Sequence, residues 1–265
     1  VIPAGAAAAA RTFTVDRNSA GPNPTFTRQL QTQNTFDANA AIRPQSETDR
    51  RGVVVTARHE VSDKLGSFLE VGWQKNKNIE GLSPAPISTL NTITLPATNP
   101  FNPFGVPVVS SSPQTMFFRF LELGDRLTTT RSKMERIVAG LDGQLPRGWS
   151  WDAAVTWNKA TSHLDLKNFP AQDRINAALA DTNRATALNL FANGTTIRNN
   201  PATLASLDSG VTRDAKTELT AVDARATGDV YHLPAGAVSV AVGAQWREET
   251  FRDERTQVQL LNQRS

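Results

Sequence analysis

The side chains able to do chemistry in this chain are few and scattered. His59, His163 and His232 lie far apart with no metal-ligand spacing, so each is expected as a surface or wall histidine. Glu248-Glu249 and Asp253-Glu254 have the residue types of a paired-acid glycosidase, in which one carboxyl protonates the leaving oxygen and the other attacks or activates water. They are interleaved with Arg247, Arg252 and Arg255, which reads as a solvated charge cluster rather than a catalytic pair. No P-loop, G-x-G-x-x-G or G-x-S-x-G is present. With no cysteine there is no disulfide, thiol catalysis or Cys-ligated zinc. Asn193-Gly194-Thr195 matches a glycosylation sequon but is read as a turn. The expectation is a non-enzyme without metal or cofactor.

Composition narrows the class further. The 265 residues include 28 Lys plus Arg against 25 Asp plus Glu. A net charge of +3 is too small and too evenly mixed for a nucleic-acid partner. No stretch approaches the ~20 consecutive apolar residues of a spanning helix, yet 39% hydrophobic residues place the chain outside the disordered class. It begins Val1-Ile2-Pro3, without Met, a basic leader or an apolar leader segment, and stops at Arg264-Ser265 just after a strand-like run. Both ends look cut, and a piece of a longer protein is expected.

The elements that must position these side chains are strands. Residues 1–50, rich in Asn, Thr, Pro, Gln and Ala, show neither helical nor strand period and are expected as an irregular loop segment. Strands are expected over residues 52–61, 67–76, 136–142, 149–158, 217–231 and 238–247, paired as three hairpins. Two of the three turns share the pattern L-P-x-G, at Leu145-Pro146-Arg147-Gly148 and Leu233-Pro234-Ala235-Gly236. Residues 117–123 read as a further short strand, and 171–180 and 185–192 as weak helices. Long polar connections at 78–115 and 163–215 alternate with the tight turns. A compact domain rarely carries loops of ~35 to 50 residues, whereas short connections at one end and long ones at the other belong to outer-membrane barrels. The fold class expected is all-β, an antiparallel transmembrane barrel fragment of about six long strands. Its strands and loops cover 51–255, and 256–265 begins the next loop.

Tryptophan placement agrees with that reading. Trp73, Trp149, Trp151, Trp157 and Trp246 all fall on the apolar parity of their strands. Trp149 to Trp157 spans eight residues, about 27 Å of strand, or about 21 Å along the membrane normal at ~40° tilt. That approaches the ~25 Å apolar band of such barrels, with aromatic girdles at both edges. The opposite parity carries Glu70, Gln74, Arg136, Asp142, Asp152, Asn158, Asp223, Arg225, Gln245 and Arg247, suited to a wet lumen. A soluble sandwich would instead bury the tryptophan face in its core. Six strands leave two unpaired edges, so neighbouring strands are required.

Several segments resemble the TonB-dependent receptors of the Gram-negative outer membrane, especially large, Oar-like, carbohydrate- or siderophore-type members. Leu95-Pro96-Ala97-Thr98-Asn99-Pro100-Phe101-Asn102-Pro103-Phe104-Gly105 is similar to a loop of the form LPAxNPFNPFG found in many of them. Phe118-Arg119-Phe120 with Gly124-Asp125-Arg126, Gly140-Leu141-Asp142-Gly143 with Trp149-Ser150-Trp151, and Gly243-Ala244-Gln245-Trp246-Arg247-Glu248-Glu249 resemble stretches that follow in the same order. The last has Gln in place of an acidic residue.

The resemblance implies a 22-stranded barrel closed by an N-terminal plug and driven through the TonB complex, importing a large scarce solute such as a siderophore, glycan or peptide. Its other partners would be the lipid bilayer and lipopolysaccharide. No plug-like domain, TonB box or closing aromatic strand is found in these residues. Candidate ligand contacts in the loops are Asn99, Phe101, Asn102, Phe104, Asn193 and Arg198. Lumen-wall candidates are Glu70, Gln74, Arg136, Asp152, Asn158, Arg225 and Arg247, and Trp73, Trp149, Trp151, Trp157 and Trp246 form the girdle. A passive porin and a soluble β-sandwich that binds glycans or serves as an adhesin are the alternatives.

Overall fold

A computed structural model describes residues 13–15, 26–28, 45–87, 93–109, 118–192 and 194–256. The short strands β1 (Phe13–Val15) and β2 (Phe26–Arg28) pair with each other.

 The second of these strands, β2, spans Phe26–Arg28, and its register places Phe13 opposite Arg28 and Val15 opposite Phe26. Otherwise the first 44 residues, and with them most of the segment expected as an irregular loop, lie outside the described residues, as do residues 257–265.

Six long strands dominate the chain: β3 (Glu47–Ser62), β4 (Leu65–Leu82), then, after the two-residue strands β5 (Thr94–Leu95) and β6 (Val108–Val109), β7 (Arg126–Leu145), β8 (Trp149–Lys167), β9 (Thr212–Leu233) and β10 (Gly236–Arg255). They form one antiparallel sheet in the order β10-β9-β8-β7-β4-β3. Each long strand lies beside its predecessor or successor among the six, so the sheet is an up-and-down meander. It is open, with β3 and β10 as its edges. At 16 to 22 residues, these strands are far longer than the ~5–6 usual in globular proteins, and they extend beyond the alternation seen in sequence at nearly every end.

The tight turns have local causes. Between β7 and β8 the chain closes through Pro146–Gly148, where Pro146 presets its own φ and Arg147 and Gly148 both take positive φ, 66° and 76°. In the second L-P-x-G turn, Gly236 takes φ 139° and opens β10. A register shift between Val238 and Ser239 follows at once, a bulge that raises the local twist.

Two compact units divide the chain. The strand unit comprises Glu47–Ile79, Thr129–Asp165 and the described part of Thr212–Ser265; the insertion unit includes the described parts of Glu80–Thr128 and Leu166–Val211. The insertion unit has its own core, in which Ile87, Ile93, Leu95, Ile175, Leu179, Leu188 and Leu207 are almost wholly buried. Helices α1 (Gln172–Ala180) and α2 (Pro201–Leu207) contribute to it. Pro201 at the first helical position and the Asn200 side chain, accepting from Ala202 N, start α2.

Two local expectations are corrected, and one helix is added. Residues 118–123 do not form a regular strand: Arg119 makes one isolated bridge to Pro86, and Leu121–Leu123 is a 3-10 turn. Residues 185–192 are turns rather than helix, because Asn183 Oδ1 accepts from Ala185 N and the chain is held in a side-chain-closed turn. Helix α2, not anticipated, takes the helical role further along.

Candidate functional site

Cross-strand partners share a face of a sheet, so the registers sort the side chains. On one face Val53, Val55 and Ala57 of β3 stand opposite Trp73, Val71 and Leu69 of β4. On the same parity across three further strands run Val155–Val222–Trp246, Ala153–Ala224–Ala244 and Trp151–Ala226–Val242. Trp246 is 56% exposed, and Val155, Val222 and Val242 are exposed with it. Trp73, Trp149, Trp151 and Trp157 are half-buried. The Trp149 ring packs along the sheet surface against Gly228, and the Trp151 ring against Gly143.

The other face is polar and ion-paired. Arg58 meets Asp142 at 2.6 Å, Arg136 meets Glu70 at 3.4 Å, and Arg225 meets Asp152 at 2.5 Å. Gly66 leaves room for the first pair, since a Cβ there would stand 3.1 Å from Asp142 Oδ1 and 3.3 Å from the Arg58 guanidinium. Asn158, Asp223, Gln245 and Arg247 have the same parity as these charges through the β8–β9–β10 registers. Gln74 lies beside Ser132, Met134, Ala160, Ser162 and Thr217 around a shallow hollow of about 290 Å³.

The apolar face ends abruptly toward the long connections. One alternation beyond Trp157 comes Lys159, opposite Glu218 and 3.8 Å from it; Lys216 lies 2.9 Å from Glu218 and His163 2.7 Å from Asp214. One alternation beyond Trp73 comes Lys75, opposite Arg51. Trp157 and Trp73 therefore mark a boundary between aliphatic and charged surface.

In the insertion unit, the loop candidates separate into two groups. Asn99 is 3% exposed, and its amide is spent internally: Nδ2 donates to Leu179 O at 2.8 Å and Leu188 O at 3.2 Å, and Oδ1 accepts from Phe101 N at 2.9 Å. Asn102 donates to Pro96 O and Val106 O and accepts from Phe104 N, closing the same loop. Phe104 meets Phe191 edge to face at 6.2 Å. These three residues build the loop rather than offer it to a ligand. Asn193 lies outside the described residues.

Phe101 and Arg198 do come together, at a cavity of about 390 Å³ that also takes in Arg184, Asn189, Asn199 and Asn200. Asn189 and Asn199 are buried there, bonded to each other through Asn189 N and Asn199 Oδ1 at 2.7 Å. Arg184 lies over the Phe101 ring, 4.7 Å from its centre, and donates to Pro100 O at 3.0 Å. Arg184 had no signal in sequence, being one arginine in a polar stretch. Among the described residues no acid lines the cavity. Among the described residues no group of His, Asp or Glu could hold a metal ion.

Of the acids considered for glycoside chemistry, Asp253 and Glu249 lie beside arginines. Asp253 is held by Arg213 at 2.7 Å and by Arg255 at 3.0 Å. The register puts Glu249 opposite Leu219, and its carboxylate lies 3.9 Å from Arg247. Comparison with protein-family models and with curated proteins returns no match to this chain.

Proposed function

We propose that this chain supplies part of the barrel wall and the outer loops of a TonB-dependent receptor, one that takes up a large scarce solute across a Gram-negative outer membrane. The observation that carries the membrane part is the sorting of the sheet's two faces. Exposed valines, with alanines and the exposed or half-buried tryptophans, cover one face, and arginine–carboxylate pairs cover the other.

Apolar area of that extent is unfavourable in water, but against lipid hydrocarbon it is the required surface, and a polar opposite face suits a wet lumen. The open edges β3 and β10 carry unpaired backbone groups that a closed wall would pair with further strands. Charged pairs just beyond the tryptophans fit the level at which a bilayer gives way to water. The TonB-dependent part rests on the order of the sequence motifs, above all residues 95–105.

The chain has no cysteine, so single cysteines can be introduced at will. Val242→Cys and Ala244→Cys lie on the apolar face, and Gly243→Cys and Gln245→Cys on the polar one. In the full-length gene product in outer-membrane vesicles, a lipid-soluble maleimide is expected to label the first pair and a water-soluble one the second. Equal labelling of all four by the water-soluble reagent would sink the membrane reading. Uptake of a solute that persists after the proton gradient is collapsed would favour a passive porin instead.

A further inference from the structure

We infer that the cavity between Phe101, Arg184, Arg198 and Asn200 binds a carboxylate group of the captured solute. This deepens the proposed uptake role by naming the chemistry captured in the loops, but it concerns the insertion unit alone.

Three features carry it. First, each guanidinium is oriented by a single backbone carbonyl. Arg184 Nη1 donates to Pro100 O at 3.0 Å, and Arg198 Nε donates to Thr195 O at 3.2 Å. Among the described residues, the Nη groups of Arg198 and the Nε and Nη2 of Arg184 have no hydrogen-bond partner. A planar fork held at one nitrogen and open at the others is suited to bidentate recognition of a carboxylate. Arg184 is further fixed by the Phe101 ring, whose face attracts the cation.

Second, among the described residues the cavity has two arginines and no neutralising acid in its lining. The nearby carboxylate of Glu122 is committed to Asn199, accepting from its backbone N at 3.0 Å and its Nδ2 at 2.6 Å. An anionic ligand therefore meets no competing carboxylate at this wall. Third, the floor is rigid. Asn189 and Asn199 are buried and cross-bonded, and Asn200 Nδ2 donates to Ala185 O at 2.9 Å. The hollow has a volume of about 390 Å³ and is about as open to solvent as the one beside Gln74, so it can receive one group of a larger solute.

A carboxylate could arrive on an acidic sugar or on a carboxylate iron chelate, so the test has an arm for each. Calorimetric titration of the detergent-solubilised full chain with glucuronate, ferric citrate and glucose is expected to show binding of at least one acidic probe and none of glucose. R184Q/R198Q, both at exposed positions, is expected to weaken that binding at least tenfold while the circular-dichroism melting curve stays unchanged. R198Q alone serves if the double variant loses its fold. No binding of either acid, equal binding of glucose, or acid binding indifferent to the arginines would overturn the inference. Cysteine labelling is read separately, so a failure here leaves the membrane reading standing, and the converse also holds.

Discussion

Trp149 fills the space above Gly228: a Cβ on that glycine would stand 2.4 Å from the indole carbons Cγ and Cδ2. The same device recurs at Phe68 over Gly140 and at Trp151 beside Gly143. A glycine on one strand is covered by an aromatic ring on its neighbour, so the ring lies along the sheet.

Gly228→Ala is therefore expected to displace the Trp149 ring and to destabilise the sheet by about 1–3 kcal/mol, the usual cost of overpacking. Near-ultraviolet circular dichroism and the urea midpoint measure the two effects. In Gly228→Ala combined with Trp149→Leu much of the penalty should disappear, because the clash has lost its second partner. A double variant no better than additive would rule out this coupling.

Asn99→Ala is expected to cost about 2–3 kcal/mol of insertion-unit stability, because two buried carbonyls, Leu179 O and Leu188 O, lose their donor. Hydrogen exchange across residues 94–109 and 172–190 should rise with it. Unchanged exchange there would mean that the amide does not hold the loop.

Asp142→Asn is expected to cost less than about 1 kcal/mol, since the Arg58 partner is largely exposed. Gly66→Val should cost more than that, by pressing a branched side chain between the two charges. Denaturant midpoints of the two variants check the order.

Asp181 predicts a pH dependence confined to the insertion unit. The Thr186 hydroxyl, donating at 2.6 Å, and the Asn183 amide, at 2.8 Å, hold its carboxyl below the ordinary carboxylate range. A folded pKa below the unfolded one gives stability that is full above the unfolded pKa and is lost as pH falls through the folded one. The protection of the Thr186 and Ala187 amides, taken relative to their intrinsic exchange at each pH, should therefore fall under acid. Asp181→Asn should remove that acid-dependent step, and its persistence in the variant would exclude Asp181 as the source.

The sheet was legible because alternation is local: Leu69, Val71 and Trp73 reveal a strand without reference to any other segment. Strand ends were not, since Glu47–Arg51 and Thr212–Lys216 are polar on both parities and owe their pairing to neighbours. The insertion unit was hidden for another reason. Its core gathers Ile87, Leu95, Ile175, Leu188 and Leu207 from five separated places in the chain, and no period links them. Phe101 and Arg198 were chosen from sequence, but Arg184, stacked on Phe101, could be found only once residues 101 and 184 were adjacent.

The up-and-down strand order also bears on how the sheet can assemble. Three of its five pairings, β3 with β4, β7 with β8 and β9 with β10, close through turns of two or three residues, at little loop entropy. The remaining two, β4 with β7 and β8 with β9, must wait for loops of more than forty residues to be brought back, and those loops contain the insertion unit's core. Hairpins are thus the kinetic building blocks, and the late step is their side-by-side joining. Slow folding phases should respond to changes in the insertion core, such as Leu188→Ala, more than to changes within any one hairpin.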